Sequence, residues 1–232
     1  MNKDYLDLVA FWNKSMAMNE EGMEKAKEGI NPNEDYPNLA PSPKLKDALD
    51  NFKGCKKVLD YGCGSGWASV ILAKVGVKEV ISVDVIANGI KMTSFYSEEF
   101  GVADIVKPLL IDDSWLSAEN DNQYDGFYCS NVIDVIPLAM AEEIIKESAR
   151  ITTPKATVIF STNYYIDPQI MKERGFEVKG SQIYIDGVLR LNSLTDDEWV
   201  SLFNKYYQDV EISYFAWSGE AKETRRIFIL KK

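Results

Sequence analysis

Short apolar strands alternating with helical stretches predict an α/β fold, a mostly parallel sheet with helices on both faces. Two further observations support it. A glycine-rich turn follows the first strand directly, and late in the chain the strands are joined without intervening helices. The chain has 232 residues, 46% hydrophobic and 27% charged. That is an ordinary globular composition with ample length for a full core.

Tyr5, Leu8, Trp12 and Met16 recur near helical spacing, so residues 4–27 read as helix. Pro32, Pro37, Pro41 and Pro43 mark a loop, and a short helix follows over residues 44–52. Residues 57–61 read as a buried strand, 62–66 as the glycine turn, 67–74 as helix and 79–84 as a second strand. A helix over 88–99, strands at 106–111 and 125–130, a helix over 139–150 and a strand at 156–161 continue the alternation. Residues 182–185 and 188–191 flank Asp186-Gly187, the pair that suits a tight type I′ hairpin turn. Thr195 and Glu198 form a capping box ahead of a helix over 199–207. Strands at 210–217 and 225–230 then close the sheet, which makes seven strands with an antiparallel edge. The expected division is a helical cap region at residues 1–54 and a core domain at residues 55–232. The core carries a hairpin insertion around residues 181–192.

Composition excludes several function classes. Lys plus Arg total 26 against 36 Asp plus Glu, a formal charge of −10. Such a surface repels phosphate backbones and anionic membranes, and no basic stripe with interleaved aromatics offsets it. No nucleic acid and no membrane partner is expected. The chain has no histidine, so histidine-dependent triads and histidine-rich metal sites are excluded, and no metal is expected. Cys55, Cys63 and Cys129 form no CxxC pair and are odd in number, which fits a reducing cytoplasm. The opening residues are acidic where a signal peptide would be basic and then apolar, and no apolar run is long enough to span a bilayer.

The chemistry is concentrated in Asp60-Tyr61-Gly62-Cys63-Gly64-Ser65-Gly66. Glycines allow positive φ and let a ligand approach the backbone, and the next helix offers its free N–H groups. The dinucleotide fingerprint Gly-x-Gly-x-x-Gly is not met, because Trp67 and Ser69 stand where its last glycine would fall. A carboxylate ahead of the first glycine disfavours a diphosphate and favours an ammonium or a sulfonium. Asp84 closes the next strand, where a carboxylate can accept two hydrogen bonds from a ribose diol. A helix cap is its structural alternative.

Residues 58–68 together with Asp84 resemble the cofactor core of the class I S-adenosylmethionine-dependent methyltransferases. The resemblance extends through residues 110–114 and 124–137, and covers roughly residues 56–161. It implies a Rossmann-like methyltransferase fold with S-adenosylmethionine as cofactor, S-adenosylhomocysteine as product and a small molecule as methyl acceptor. In that reading Asp60 would orient the turn and attract the methionine ammonium. Gly62 and Gly64 would bring backbone against the methionine portion, with Gly66 completing the cofactor turn. Asp84 would bind the ribose, and Val85 or Ile86 would pack on the adenine. Asp112 or Asp113, beside Ser114, would meet the adenine amino group, and Asn131 would supply a carbonyl near the ammonium. Many small-molecule members carry an acid and a histidine after the fourth strand; here the pair is Asp134-Val135. Asp134 reads as an exposed helix-start carboxylate, and no catalytic residue is assigned.

Sulfonium methyl transfer needs mainly alignment and water exclusion, so a chain without histidine is compatible with it. Tyr5, Trp12, Tyr164, Tyr165 and Tyr184 are candidate walls for a flat or cationic acceptor, with core packing as the competing role of each. Cys63 and Cys129 read as packing residues, and Arg225 and Arg226 as edge residues without a role. A monomer or a homodimer fits. The competing functions are a nicotinamide-dependent oxidoreductase and a non-catalytic nucleoside-binding protein on the same fold.

Overall fold

The structure is a computed structural model that describes residues 3–17, 19–28 and 30–232. Its centre is a seven-stranded sheet. The strands are β1 (Lys57–Tyr61), β2 (Glu79–Asp84), β3 (Val106–Leu110), β4 (Tyr124–Ser130), β5 (Thr152–Thr162), β9 (Asp209–Phe215) and β10 (Arg225–Lys231), in the order β3-β2-β1-β4-β5-β10-β9. The first five are parallel, and β10 runs antiparallel to both β5 and β9. The expected antiparallel edge is thus the β9–β10 pair, with β10 lying between its two neighbours.

Alternation along β1 sends Val58 and Leu59 to opposite faces, and a core grows on each. One face is covered by α1 (Lys3–Ser15), α6 (Trp115–Ala118), α7 (Leu138–Ile151) and α9 (Asp196–Phe203), whose Leu8, Leu116, Ile145 and Trp199 pack on Leu59, Phe127, Phe160 and Phe228. The other is covered by α3 (Pro43–Leu49) and α4 (Trp67–Lys74), with Leu45, Leu49, Val70 and Ile71 on Val58, Val80, Tyr128 and Ile227. α5 (Ala87–Glu99) crosses from β2 to β3 and packs on α4.

Several boundaries differ from the sequence reading. The stretch read as one helix over residues 4–27 is two, α1 and α2 (Glu20–Lys27), because the Asn19 side chain takes the Gly22 amide at 2.8 Å and starts a new helix. The capping box forms, but its acids belong to the first turn of α9, which spans Asp196–Phe203. The hairpin β7 (Gln182–Ile185) and β8 (Val188–Asn192) turns through Asp186 and Gly187, both at positive φ (52° and 76°). It gains a third strand, β6 (Glu177–Lys179), and stands as a separate small sheet after α8 (Pro168–Glu173). Neither β6 nor α8 was expected.

Candidate functional site

Because β1 to β5 are parallel, their C-terminal ends lie together and the loops that follow them form one crevice. The turn after β1 is built by backbone contacts. The amides of Gly62 and Cys63 both donate to the Val83 carbonyl at 2.8 and 3.0 Å, and the Gly66 amide returns to the Cys63 carbonyl at 2.8 Å. Gly62, Gly64 and Gly66 take φ of 74°, 53° and 81°, values that side chains resist. Gly62 also has a packing reason, since a Cβ there would overlap the Val132 side chain. At Gly66 a Cβ would lie 2.7 Å from the Thr93 Cα. Gly66 therefore lets α4 and α5 approach one another and lies outside the cavity lining.

Asp84 clamps this turn. Its Oδ2 accepts the Gly64 amide at 2.8 Å and its Oδ1 accepts the Ile86 amide at 2.9 Å. Burial raises its pKa, and the backbone N–H groups oppose that rise. Asp60 accepts the Ser69 hydroxyl at 2.5 Å, and Ser69 in turn accepts Ser82 at 2.7 Å. Buried near the end of β1, Asp60 is pushed up to about 7, chiefly by desolvation. Burial likewise raises the Cys63 and Cys129 thiols, which are packing groups with little thiolate.

The turn opens into a cavity of about 720 Å³. Of the expected cofactor residues, Asp60, Gly62, Gly64, Asp84, Val85, Asp113 and Asn131 line it. Asp112 and Ser114 do not. Asp112 Oδ1 accepts both the Ser114 amide (2.9 Å) and its hydroxyl (2.7 Å), which closes the turn into α6 and holds the exposed Asp112 carboxyl below its ordinary value. Of the expected acceptor walls, Tyr5 and Trp12 line the cavity from α1. Burial and the carboxylates of Asp113, Asp84 and Asp112 push the Tyr5 phenol up to about 12. Tyr164, Tyr165 and Tyr184 fall elsewhere. Tyr164 and Tyr165 are exposed. Tyr184 is buried beneath Lys179 and donates to Asp4 at 3.1 Å, a link between the small sheet and α1.

Two further expectations are corrected. Asp134 is buried, not exposed. Its Oδ2 accepts the backbone and side-chain N–H of Asn163, each at 2.7 Å, its carbonyl accepts the Asn192 amide at 2.6 Å, and burial raises its pKa. Asn192 also donates to the carbonyls of Ile133 and Ile136 at 3.1 and 2.5 Å. The small sheet thus fixes the β4–α7 loop, whose Val132, Val135 and Ile136 line the cavity. Arg225 and Arg226 are buried cations. Arg226 pairs with Asp196 at 2.8 Å and caps the Asn163 and Leu194 carbonyls at 2.5 and 3.0 Å. Arg225 pairs with Glu220 at 2.6 Å and donates to Asn163 Oδ1.

The sequence reading missed Met16, Pro41, Trp67, Val132 and Trp217, all of them lining residues. Trp67 follows the last glycine of the turn directly, a position that could have flagged it. Trp217 and Pro41 carry no such signal, since the Ser218 amide brings their loops together by donating to the Pro41 carbonyl at 3.3 Å.

The lining holds Asp60, Asp84, Asp113, Glu143 and Glu147, and no Lys or Arg among its described residues. Glu147 is paired with Arg150 at 2.6 Å and Glu143 with Lys146 at 2.9 Å; Asp60 and Asp84 have no such partner among the described residues. A glycine bend without Cβ atoms and carboxylates without counter-cations suit a cationic nucleoside amino acid. Trp12 Nε1 and Asn131 Nδ2, on two lining residues, are buried without hydrogen-bond partners among the described residues.

A sheet in this order, with a glycine turn after β1 and an acid at the end of β2, is the architecture of the class I S-adenosylmethionine-dependent methyltransferases. The model of the methyltransferase-domain family matches residues 33–184, and the chain belongs to that family. Among curated proteins it is similar to the ubiquinone biosynthesis O-methyltransferase of Bordetella pertussis, 29% identical over 118 residues, 51% of this chain and 46% of that protein. The enzyme of the same name from Chromobacterium violaceum is 29% identical over 107 residues, 46% of this chain and 44% of that protein. The match thus spans about half the length of these curated relatives. Among solved structures, N-methyltransferase NodS from Bradyrhizobium japonicum WM9, in complex with S-adenosyl-L-homocysteine, shares the fold with a TM-score of 0.63 at 12% identity, over 97% of this chain and 98% of that one. The [4+2]-cyclase SpnF shares it at a TM-score of 0.57 and 17% identity, over 73% of this chain and 58% of that one. One fold thus carries different chemistries, and function has to be argued from the site.

Proposed function

We propose that the chain transfers the methyl group of S-adenosylmethionine to a small-molecule acceptor by in-line displacement. The observation that carries this reading is the Gly64–Asp84 clamp in the lining of a cavity that holds five carboxyl groups and no described lining cation. The cofactor supplies a methyl on a sulfonium, already joined to an excellent leaving group. Asp60 attracts the positive end of the methionine, and the remaining lone pairs of Asp84 receive the ribose hydroxyls. Val85 packs on the adenine and Asp113 accepts its amino group. Tyr5 and Trp12 close the crevice from α1 and exclude water, which leaves alignment as the main contribution of the protein. No general base is assigned.

The oxidoreductase alternative fits the site poorly. A dinucleotide would set its diphosphate on this turn, yet the Gly64 amide is taken by Asp84 and the nearby Asp60 repels phosphate. The names of the curated relatives support a small acceptor. Among the described residues no helix is long and apolar enough to cross a membrane, and the free cysteines fit a reducing compartment, so we assign the chain to the cytoplasm. Titration calorimetry tests the core of the proposal. Saturable S-adenosylmethionine binding that Asp84→Ala removes is expected, and no binding at millimolar cofactor overturns it. Release of S-adenosylhomocysteine in a metabolite extract distinguishes turnover from nucleoside binding alone.

A further inference from the structure

The loop between β9 and β10 is closed on itself. Glu220 accepts the Trp217 amide at 2.9 Å and binds Arg225 through Nε at 2.8 Å and Nη2 at 2.6 Å. The buried Arg225 guanidinium lies 3.5 Å from the Trp217 ring centroid, with Tyr164 5.3 Å away. Lys44 ties the loop to the N-terminal region, reaching Glu223 at 2.6 Å and the Tyr214 carbonyl at 3.2 Å. Trp217 lines the cavity together with Pro41, Trp67 and Tyr128 and is about a third exposed, at the cavity mouth. Its indole is therefore preset, backed by a cation that is itself fixed by a carboxylate.

We propose that Trp217 is the stacking wall for the methyl acceptor, and that the acceptor is an uncharged flat aromatic ring. This rests on the reading of the site as a methyl-transfer crevice. The charges around the cavity decide between acceptor classes. An anionic acceptor would lose its water in a lining that offers no described Lys or Arg to meet its charge. A cationic acceptor stacked on Trp217 would face Arg225 through a single ring, and the negative ring face it needs is already drawn toward the guanidinium. A neutral ring meets neither repulsion, and an indole polarised from behind presents a more complementary face to it.

Three para-substituted phenols test this on protein loaded with S-adenosylhomocysteine: 4-ethylphenol, 4-hydroxyphenylacetate and tyramine, neutral, anionic and cationic. Calorimetry is expected to show 4-ethylphenol binding at least tenfold tighter than either charged probe. Trp217→Ala is expected to weaken it about fivefold to tenfold, the scale of a lost aromatic pair, with S-adenosylhomocysteine affinity unchanged. Arg225→Met with Glu220→Gln is expected to narrow the gap between tyramine and 4-ethylphenol. Should that pair fail to fold, Trp217→Ala and Trp217→Phe carry the test, Phe retaining most of the affinity. Equal affinities for the three probes, no binding of 4-ethylphenol at millimolar concentration, or indifference to Trp217→Ala overturns the proposal. Failure of S-adenosylhomocysteine itself to bind overturns the methyl-transfer reading instead.

Discussion

The carboxylate of Asp84 holds the amide of Gly64 at 2.8 Å, so the residue facing the proposed ribose also fixes the turn facing the proposed methionine. Its two oxygens serve two amides, Gly64 and Ile86. Asp84→Asn turns an NH₂ toward one of them. We expect a loss of about 1–3 kcal/mol in unfolding stability, the scale of a charged hydrogen bond left unmade. Cofactor affinity should fall at least tenfold in both Asp84→Asn and Asp84→Ala. Urea unfolding and calorimetry on the same samples check both halves.

Gly62 and Val132 compete for one volume. Gly62→Ala combines a positive φ, about 1–2 kcal/mol for a side chain, with overpacking of about 1–3 kcal/mol. Val132→Ala in the same chain should recover the packing part and leave the backbone part. The two singles and the double form a cycle whose coupling should be favourable. Additive effects in thermal unfolding would show that the turn and the β4–α7 loop are independent.

Asp60 makes the protein sensitive to pH near neutrality. Its folded pKa, about 7 because the carboxyl is buried, lies above the unfolded value of about 4. Between those values the folded state holds a proton that the unfolded state has released, so stability falls as pH rises across that window. A bound cation favours the ionised form, so cofactor affinity should rise with pH through about 7 with release of a proton. Calorimetry in buffers of different ionisation heat measures that release. Asp60→Asn should abolish it and flatten the stability profile.

Arg190 acts at a distance from the cavity. Its guanidinium lies 4.1 Å from the Phe11 ring centroid and 5.7 Å from that of Trp12, and Trp12 lines the cavity. An accessible cation–π contact contributes about 0.5–1 kcal/mol. Arg190→Ala should therefore weaken cofactor binding about twofold to fivefold while leaving the melting temperature nearly unchanged. Hydrogen exchange should quicken in α1 and not in β1. Unchanged exchange in α1 would remove Arg190 from this role.

What the sequence revealed was local. The run from β1 through the glycine turn to α4 announces itself because strand, bend and helix start are each set by neighbours in the chain. The Asp186-Gly187 turn and the Thr195–Glu198 cap were legible for the same reason. Asp134 looks exposed in the sequence because its burial depends on Asn163, just past β5, and on Asn192 at the end of β8. Arg225 and Arg226 look like edge residues until β9 covers β10 and Glu220 and Asp196 neutralise them. Gly66 shares the motif spacing but serves a helix contact visible only in three dimensions.

The anchoring of α1 also sets an order of events in biosynthesis. Asp4 and Tyr184 stand 180 positions apart, and the Arg190 that clasps Phe11 comes later still. On the ribosome, α1 emerges before α5, whose Asn88 bonds Asn13, and longer still before the small sheet. Its docking is therefore divided between two partners made at different times, α5 through Asn13 and Asn88 and, later, the small sheet through Tyr184 and Arg190.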